Sequence, residues 1–298
     1  MARALQPKDR EVTAERLLDS SARNSYSPEL DIDWAAPLQD GKAFMPFERV
    51  SLYGTELWER LTPEQRVELS KHEIASMASV GLWFEIVLMQ LLARYVYDLD
   101  PRSAHAQYAL TELGDETRHS IMFAKAVSKT GAPAYGPNRV TRTLGRFFGG
   151  LASGPPMFAS VLVAEETTDR VQRSMMDDPA IQPMIRMVNR IHVIEEARHV
   201  RFAREEVVRG LKGVGRLRLE FYRLVTALTA YAVVDCMIHP KVYAAVGIDP
   251  REGRRVALAN PHHQEHRRWM SEKVVEFLTE VGLIGGPTKR IWKHGYLL

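Results

Sequence analysis

Cysteine is nearly missing from this chain: Cys236 is the only one among 298 residues. A single thiol excludes an internal disulfide framework and a cysteine-ligated metal cluster, because both need several cysteines. The residues from Met1 to Asp19 carry charges throughout and contain no apolar core, so they lack the pattern of a secretory signal. We therefore expect a cytoplasmic protein.

Long apolar runs and phosphate-binding loops are also missing. No stretch approaches the roughly 18 uninterrupted apolar residues of a membrane span, so we expect no membrane segment. No glycine-rich loop has phosphate-binding spacing, which argues against a bound flavin or nicotinamide and leaves the supply of electrons to an external donor. The formal net charge of +3 is small and gives no reason to expect a nucleic-acid partner.

Alternating apolar patterns bounded by hairpin turns are nearly absent, so the sequence predicts an all-α fold. We expect residues 1–60 to be irregular with short helical pieces, packing on a helical domain of residues 61–298 that includes C-terminal helices, as one domain overall. Thr62, Pro63 and Gln65 predict the capped start of a long helix. The predicted helices span about 62–98, 100–130, 155–177, 178–210, 215–237, 249–259 and 261–282, and Gly149, Gly150 and Gly154 interrupt the stretch before the third.

The most informative feature that is present is a repeated pattern of metal-binding residue types. A lone glutamate is followed 31 positions later by Glu-x-x-His, and the whole pattern recurs 80 positions further on. Each Glu-x-x-His places its two side chains on one face of a helix. Two such blocks are the ligand set of a carboxylate-bridged di-iron site in a four-helix bundle. The residues are Glu85, Glu116 and His119 in the first block, and Glu165, Glu196 and His199 in the second.

The positions of these residues along their predicted helices agree with a single site. Each lies about 13 to 18 residues from the turn that joins its helix to the next, which corresponds to roughly 20 to 27 Å. If consecutive helices are antiparallel, all of these side chains reach nearly the same level. The sequence therefore predicts a ferritin-like four-helix bundle with additional flanking helices.

A third histidine, His192, joins the second block. It lies on the same helix face as the Glu-x-x-His pair that follows it, because all three side chains fall within about 60° of the helix circumference. Glu112 occupies the corresponding place in the first block. Glu166 competes with Glu165 for the ligand role, but only Glu165 keeps the interval of 31 positions.

The expected metal is iron, two ions per chain, with manganese as a substitute. Bridging carboxylates with a few imidazoles suit these ions better than zinc or copper in a bundle core. Metal-bound imidazoles usually donate their second N–H to a carboxylate. Asp115 and Glu195 directly precede ligand glutamates and are candidates for this role, each for the opposite block. Arg118 and Arg198 are candidates to anchor these acids, and simple helix solubility is the alternative for all four.

The amino-acid sequence around the second block is distinctive. It contains Met176-Asp177-Asp178, Ile181-Gln182-Pro183, the run from Arg186 to His192, and Glu195-Glu196-Ala197-Arg198-His199. These segments resemble the p-aminobenzoate N-oxygenase (AurF-like) family of di-iron arylamine oxygenases. The resemblance covers roughly residues 60–285, and its most specific mark is the histidine four positions before the last ligand glutamate. Carried over, it implies the metal ligands Glu85, Glu116, His119, Glu165, His192, Glu196 and His199.

The resemblance also implies an activity and partners. We expect a helical homodimer whose reduced di-iron centre binds dioxygen as a peroxo-diferric species and oxidises the nitrogen of an amine, in this family an aryl amine, to hydroxylamine, nitroso or nitro. Substrates of the family often carry a carboxylate held by a C-terminal arginine, for which Arg267, Arg268 and Arg290 are candidates. The alternatives are a hydroxylase or desaturase acting on C–H bonds, and an iron-binding ferritin-like protein.

Overall fold

Helices account for nearly all regular structure in the described residues, 9–298, of this computed structural model. Within that range the only strand-like pairing is an isolated bridge between Ala43 and Ile181, so the predicted all-α class is confirmed. The helices are α1 (Arg10–Arg23), α2 (Pro28–Asp31), α3 (Glu56–Glu59), α4 (Pro63–Tyr97), α5 (Ala104–Thr130), α6 (Arg139–Leu151), α7 (Gly154–Met175), α8 (Pro183–Gly210), α9 (Arg216–Cys236), α10 (Pro250–Ala259), α11 (Pro261–Glu280) and α12 (Lys289–His294).

The long helix α4 begins at the predicted capping box. The Thr62 hydroxyl accepts a hydrogen bond from the Gln65 N–H at 3.3 Å, and the Gln65 side chain accepts one from the Thr62 N–H at 3.0 Å. Pro63 occupies the first turn, where its missing N–H leaves no helical bond unmade. The helix then runs for 35 residues and ends at Tyr97.

Two helical hairpins form the four-helix bundle. Helices α4 and α5 pack along each other, α7 packs along α8, and the two pairs meet through α5 with α8 and α4 with α7. The short connections over 98–103 and 176–182 make each pair antiparallel. Helix α6 lies in the longer connection between the hairpins and packs on α4, while α9 and α11 cover α7.

Helix α6 and the start of α8 differ from the sequence predictions. Gly149 was expected to interrupt a helix, but together with Gly145 it lets α6 approach α4: an added Cβ at Gly145 would lie 2.3 Å from Trp83, and one at Gly149 would lie 2.6 Å from Gln90. Helix α8 begins at Pro183 rather than near 178. Residues 178–182 are instead held in a turn, in which the Gln182 N–H donates to the Ala43 carbonyl at 3.0 Å.

The N-terminal segment contains a regular helix, α1, which packs on α5 and α8. Thr13 donates to Glu205 at 2.8 Å, and the Glu11 carboxylate accepts from the Ala104 N–H at 2.7 Å, at the start of α5. The predicted division at residue 60 into an N-terminal segment and a helical domain stays a prediction. Its residues 1–8 lie outside the described range.

Two helices in the described part, α4 and the segment Arg216–Val246, are long and apolar enough to cross a membrane by length and composition alone. Helix α4 carries the fully buried Glu73 and Glu85 and packs within the bundle. Core helices pass the same test of length and composition, so this finding is weak evidence for a membrane span.

Glu73 on α4 is a buried acid outside the repeated blocks. Its carboxylate accepts hydrogen bonds from the Ser51 N–H at 3.0 Å and the Ser51 hydroxyl at 2.5 Å, and the Tyr243 hydroxyl lies 2.9 Å from that hydroxyl. Burial raises the pKa of Glu73 to about 7, against the opposing effect of the Ser51 hydrogen bonds. The folded protein therefore holds a proton that the unfolded chain releases at lower pH.

We expect Glu73→Gln to remove part of the pH dependence of stability. Because the folded pKa exceeds the unfolded one, the wild-type free energy of unfolding falls as pH rises from about 5 to 8, by about 3 kcal/mol for this group. Urea unfolding at several pH values measures the change. Glu276→Gln, at an exposed position on α11, is the control, and an equal pH slope in both variants would contradict the assignment.

Candidate metal centre

Four glutamates from four helices meet in the core of the bundle. Each is almost fully buried, with at most 5% of its surface exposed. They come from the four helices in which the sequence placed them, at one level of the bundle. They are Glu85 on α4, Glu116 on α5, Glu165 on α7 and Glu196 on α8.

Two histidines face these carboxylates through the same ring nitrogen. The Nδ1 atom of His119 lies 3.1 Å from an oxygen of Glu116 and 3.1 Å from an oxygen of Glu196. The Nδ1 atom of His199 lies 2.9 Å from Glu116 and 3.0 Å from Glu196. Glu116 and Glu196 therefore lie between the two imidazoles, in a nearly symmetric arrangement that mirrors the repeated sequence.

The third histidine breaks this symmetry. His192 presents Nε2 to the centre, 3.2 Å from Glu85, 3.8 Å from Glu196 and 4.0 Å from Glu165. Its Nδ1–H donates to the side-chain carbonyl of Gln172 on α7 at 2.9 Å. Burial, together with the other imidazoles, lowers the pKa of His192 to about 4, so its ring is neutral and Nε2 has a free lone pair.

The acids that precede the ligand glutamates pair with the histidines of the opposite block. The Nε2 atom of His119 lies 2.8 Å from Glu195, and that of His199 lies 3.2 Å from Asp115. With Nε2–H donated to a carboxylate, each imidazole keeps Nδ1 directed at the centre. The helices α5 and α8 are thereby linked twice, by one acid in each direction.

Arginine and backbone groups hold these two acids in place. Arg198 lies 3.4 Å from Asp115 and 3.7 Å from Glu195, and it also donates to the Asn24 carbonyl at 3.3 Å. The Tyr26 N–H donates to Glu195 at 3.0 Å, so the N-terminal segment contacts the acid network directly. On the other side, the partly exposed Arg118 pairs with Asp115.

The electrostatics of the site call for bound cations. Burial and repulsion by the neighbouring carboxylates raise the pKa values of Glu85 and Glu165 well above the usual range. Burial also acts to raise the pKa of Glu196, but attraction by His199 and hydrogen bonding to the histidines lower it. One buried oxygen of Glu85 has no hydrogen-bond partner among the described residues. A cation beside these oxygens would replace the missing partner and the bound protons.

Four overlapping groups of three side chains in the described part have donor atoms within 4.8 Å of one another. They include all seven residues that the sequence suggested as ligands, and a hard, oxygen-rich set with some imidazole suits iron or manganese. They are Glu85, His119 and His192; Glu112, Glu116 and His199; Glu116, His119 and Glu196; and Glu165, His192 and Glu196.

Two further glutamates differ in their surroundings: Glu166 competed with Glu165 for the ligand role, and Glu112 occupies the place of His192 in the first block. Glu166 is also buried, but its carboxylate accepts from the Arg204 guanidinium at 2.8 Å and belongs to none of these groups. Glu112 lies beside Glu116 and His199, as its place in the first block suggested. Burial raises the pKa of Glu112 to about 8, so it is mainly a neutral acid at pH 7.

Sequence reasoning missed Gln172 and Tyr26. Gln172 lies seven residues after Glu165, which places both on one face of α7, and this spacing was a readable signal. No comparable signal marks Tyr26, because its contribution is a backbone N–H and depends on how the N-terminal segment packs.

Two cavities reach the centre. A small one of about 60 Å³ touches Glu85, Glu165, His192 and Gln172. A larger one of about 530 Å³ lies between α4, α6, α7 and α9 and reaches Glu165. Phe84, Ala164 and Glu165 line both cavities and separate them.

The bundle and its buried donor set define a class, the di-metal oxidases of the ferritin-like superfamily. Within it, the model of the family described as P-aminobenzoate N-oxygenase AurF matches residues 7–282, and the chain belongs to that family.

The chain is also similar to curated relatives and to solved structures. The chain is 27% identical over 290 residues to "Uncharacterized protein Rv0885" of Mycobacterium tuberculosis and to "Uncharacterized protein Mb0909" of Mycobacterium bovis, covering 93% of this chain and 84% of each relative. Two variants of an R2-like ligand-binding oxidase with Mn/Fe cofactors superpose with TM-scores of 0.56 and 0.54, at 12% and 13% identity, over 93% of this chain and 95% of theirs. This likeness shows the fold.

Glu165→Gln and Glu166→Gln compare a predicted ligand with its buried neighbour. We expect the first to lose much of the bound iron, because it removes a charged donor from the centre, and the second to keep it. Elemental analysis after anaerobic loading with ferrous iron measures the ions per chain. Equal iron content in the two variants would contradict the assignment of Glu165, and thermal unfolding of the metal-free proteins shows whether both fold.

Asp115→Asn and Glu195→Gln test the crossed hydrogen bonds. Each keeps the shape but removes the charge that holds an imidazole N–H, and losing such a partner typically costs about 10- to 100-fold in metal affinity or activity. Competition with a chelator measures the affinity. Asp169→Asn on α7, whose carboxylate pairs with Arg173, is the control. Unchanged affinity in both test variants would show that the acids serve only to stabilise the helices.

Proposed function

We propose that this protein is a non-haem di-iron oxygenase that uses dioxygen to oxidise the nitrogen of an amine. The single observation that carries the proposal is the convergence of four glutamates and three histidines from four helices at one buried point. The family supports nitrogen as the atom oxidised, and His192 is the mark that this chain shares with it.

The proposed ligands are Glu85, Glu116, His119, Glu165, His192, Glu196 and His199. Glu116 and Glu196 would help to hold the ions between the two symmetric imidazoles, because each lies within 3.1 Å of a nitrogen of both His119 and His199. Glu85 and Glu165 complete the set on the side of the two cavities. Solved structures with similar folds carry Mn/Fe or Mn/Mn cofactors, which supports two ions of this kind, with manganese as a substitute for iron.

Two bound ions would supply electrons and Lewis acidity for the reduction of dioxygen. The chain's residues then have three tasks. Glu195 and Asp115 hold the N–H groups of the two symmetric imidazoles, so Nδ1 stays directed inward. Gln172 holds His192 through a neutral amide, which leaves this imidazole less electron-rich than its carboxylate-paired counterparts. Apolar neighbours such as Phe84 and Phe123 limit the access of water.

The balance of the reaction requires an external electron donor. Conversion of an amine to a hydroxylamine with one dioxygen forms one N–O bond, consumes two electrons and two protons, and releases one water. No residue pattern for a bound flavin or nicotinamide supplies these electrons. A separate reductant, a homodimeric assembly and a cytoplasmic location are parts of this proposal.

One observation favours a second candidate, a hydroxylase or desaturase acting on C–H bonds. The larger cavity is mainly apolar and reaches Glu165. A substrate that reacts at an unactivated carbon would require an apolar site of this kind beside the centre. Product analysis distinguishes the two, because oxygen or unsaturation would then appear on carbon.

His192→Ala tests the proposed reaction. We expect the variant to keep its helical content and most of its iron, but to lose at least about tenfold in the rate of nitrogen oxidation. The assay supplies reduced, iron-loaded protein with aryl amines and oxygen, and mass spectrometry identifies hydroxylamine, nitroso or nitro products. Phe123→Leu, which removes a ring packed on His192 without removing a donor, is the control. Wild-type protein that oxidises none of the amines at nitrogen would contradict the proposal.

A further inference from the structure

The larger of the two cavities is the only one of the pair that can hold an organic substrate. Its volume of about 530 Å³ falls within the range of about 300 to 1,000 Å³ that is usual for ligand sites. The small cavity, at about 60 Å³, is well below the roughly 150 Å³ of a cavity known to hold benzene. An aromatic ring or an alkyl chain must therefore reach the centre from the larger cavity, past Phe84 and Ala164.

The wall of this cavity offers no positive charge. Among residues 9–298, no lysine, arginine or histidine lines it, and Glu165, at its inner end, is its one charged-type side chain. The remaining polar groups are hydroxyls, such as those of Ser160, Tyr222 and Thr229. A carboxylate placed here would be desolvated without a partner, at a large energetic cost.

The C-terminal arginines lie elsewhere. Arg267 is buried, but it donates to the Val234 carbonyl and to His263, both at 3.3 Å. Arg268 and Arg290 are exposed. None of the three lines either cavity, so the arginine clamp for a carboxylated substrate that the family resemblance implied has no counterpart among the described residues that line the two cavities.

The outer end of the cavity is apolar as well. Large side chains from α6 and α9 both line the cavity and are at least 52% exposed. An apolar rim continuous with an apolar wall favours an occupant that is apolar along its whole length from the surface to Glu165. These rim residues are Leu144, Phe147, Leu151, Phe221 and Leu228.

We propose that the substrate is an amine that carries an extended, uncharged apolar tail, and that it enters between α6 and α9. The tail occupies the larger cavity and the amino group lies at its inner end, beside Glu165. This inference rests on the proposed nitrogen oxidation for the identity of the reacting group, but the tail is inferred from the cavity alone.

Binding without turnover tests the inference. Iron-loaded protein is titrated calorimetrically, without oxygen, with aniline, 4-butylaniline, 4-hexylaniline and 4-aminobenzoate. We expect affinity to rise by up to about fourfold per methylene, so that 4-hexylaniline binds at least about 100-fold more tightly than aniline. Binding of 4-aminobenzoate as tight as that of 4-hexylaniline would overturn the proposal.

A matched pair of variants on α9 localises the tail. Ala232→Trp fills part of the cavity, whereas Leu217→Trp lies on the same helix at an 88% exposed position outside the cavity. We expect the first to weaken 4-hexylaniline at least tenfold and to leave aniline unchanged, and the second to alter neither. Equal effects of the two variants would overturn the assigned location.

A charge at the rim gives a test that does not depend on filling the core. Leu228→Arg places a guanidinium at a partly exposed position on the cavity wall. We expect it to weaken 4-hexylaniline and to strengthen 6-(4-aminophenyl)hexanoate, whose tail ends in a carboxylate. Unchanged preference between these two ligands would contradict the entry route.

A second copy of the chain is the other occupant that an apolar rim suits. In that case affinity would not depend on tail length, and Phe147→Lys would convert dimers to monomers in sedimentation experiments; this pair of results overturns the proposal.

The test of the apolar tail is separable from the test of the proposed reaction. Tail-dependent binding without oxidation at nitrogen refutes only the proposed reaction, and oxidation of aryl amines without tail dependence refutes only this inference.

Discussion

The burial of four carboxylates within one bundle core is the constraint on which the rest of the structure depends. Like charges in a medium of low dielectric repel strongly, and each loses its hydration. The surrounding residues compensate with imidazoles turned toward the carboxylates and with acids turned toward the imidazoles. A pair of divalent ions would complete this alternation of negative and positive groups. Metal binding and the arrangement of the core are therefore both consequences of the buried carboxylates.

The compensation extends outward from the centre in steps. The carboxylates of Asp115 and Glu195, which pair with the histidines, also pair with the guanidinium of Arg198. Arg198 in turn donates a hydrogen bond to the backbone carbonyl of Asn24 in the N-terminal segment. The N–H of Tyr26 provides a second contact between this segment and Glu195. Packing of α1 on α5 and α8 thus supports the geometry of the centre as well as covering the bundle.

The convergence of these side chains could be predicted because their positions obey helix periodicity twice. Spacing along one chain determines which side chains share a face, and the equal intervals in the two blocks, together with His192, identified the positions and the family. Features that depend on contacts between distant segments were harder to predict from the sequence. Gly149 suggested an interruption, yet its lack of a Cβ, like that of Gly145, permits the close packing of α6 on α4. The late start of α8 depends on the pairing of Gln182 with Ala43, which neither segment reveals alone. The lack of cationic side chains in the wall of the larger cavity, among residues 9–298, likewise depends on which faces of α6 and α9 line it.

The crossed acids have a consequence for how the two halves of the molecule relate. Each hairpin contains a lone glutamate and a Glu-x-x-His pair, so each looks like a self-sufficient half-site. The carboxylate that accepts a hydrogen bond from its histidine, however, belongs to the other hairpin. Half of the protein, expressed alone, would retain its donors but lose the carboxylate that orients its histidine, and a substitution of Asp115 or Glu195 in one repeat would act on the histidine of the other. The two repeats are therefore similar in sequence, but each depends on the other to orient its histidine.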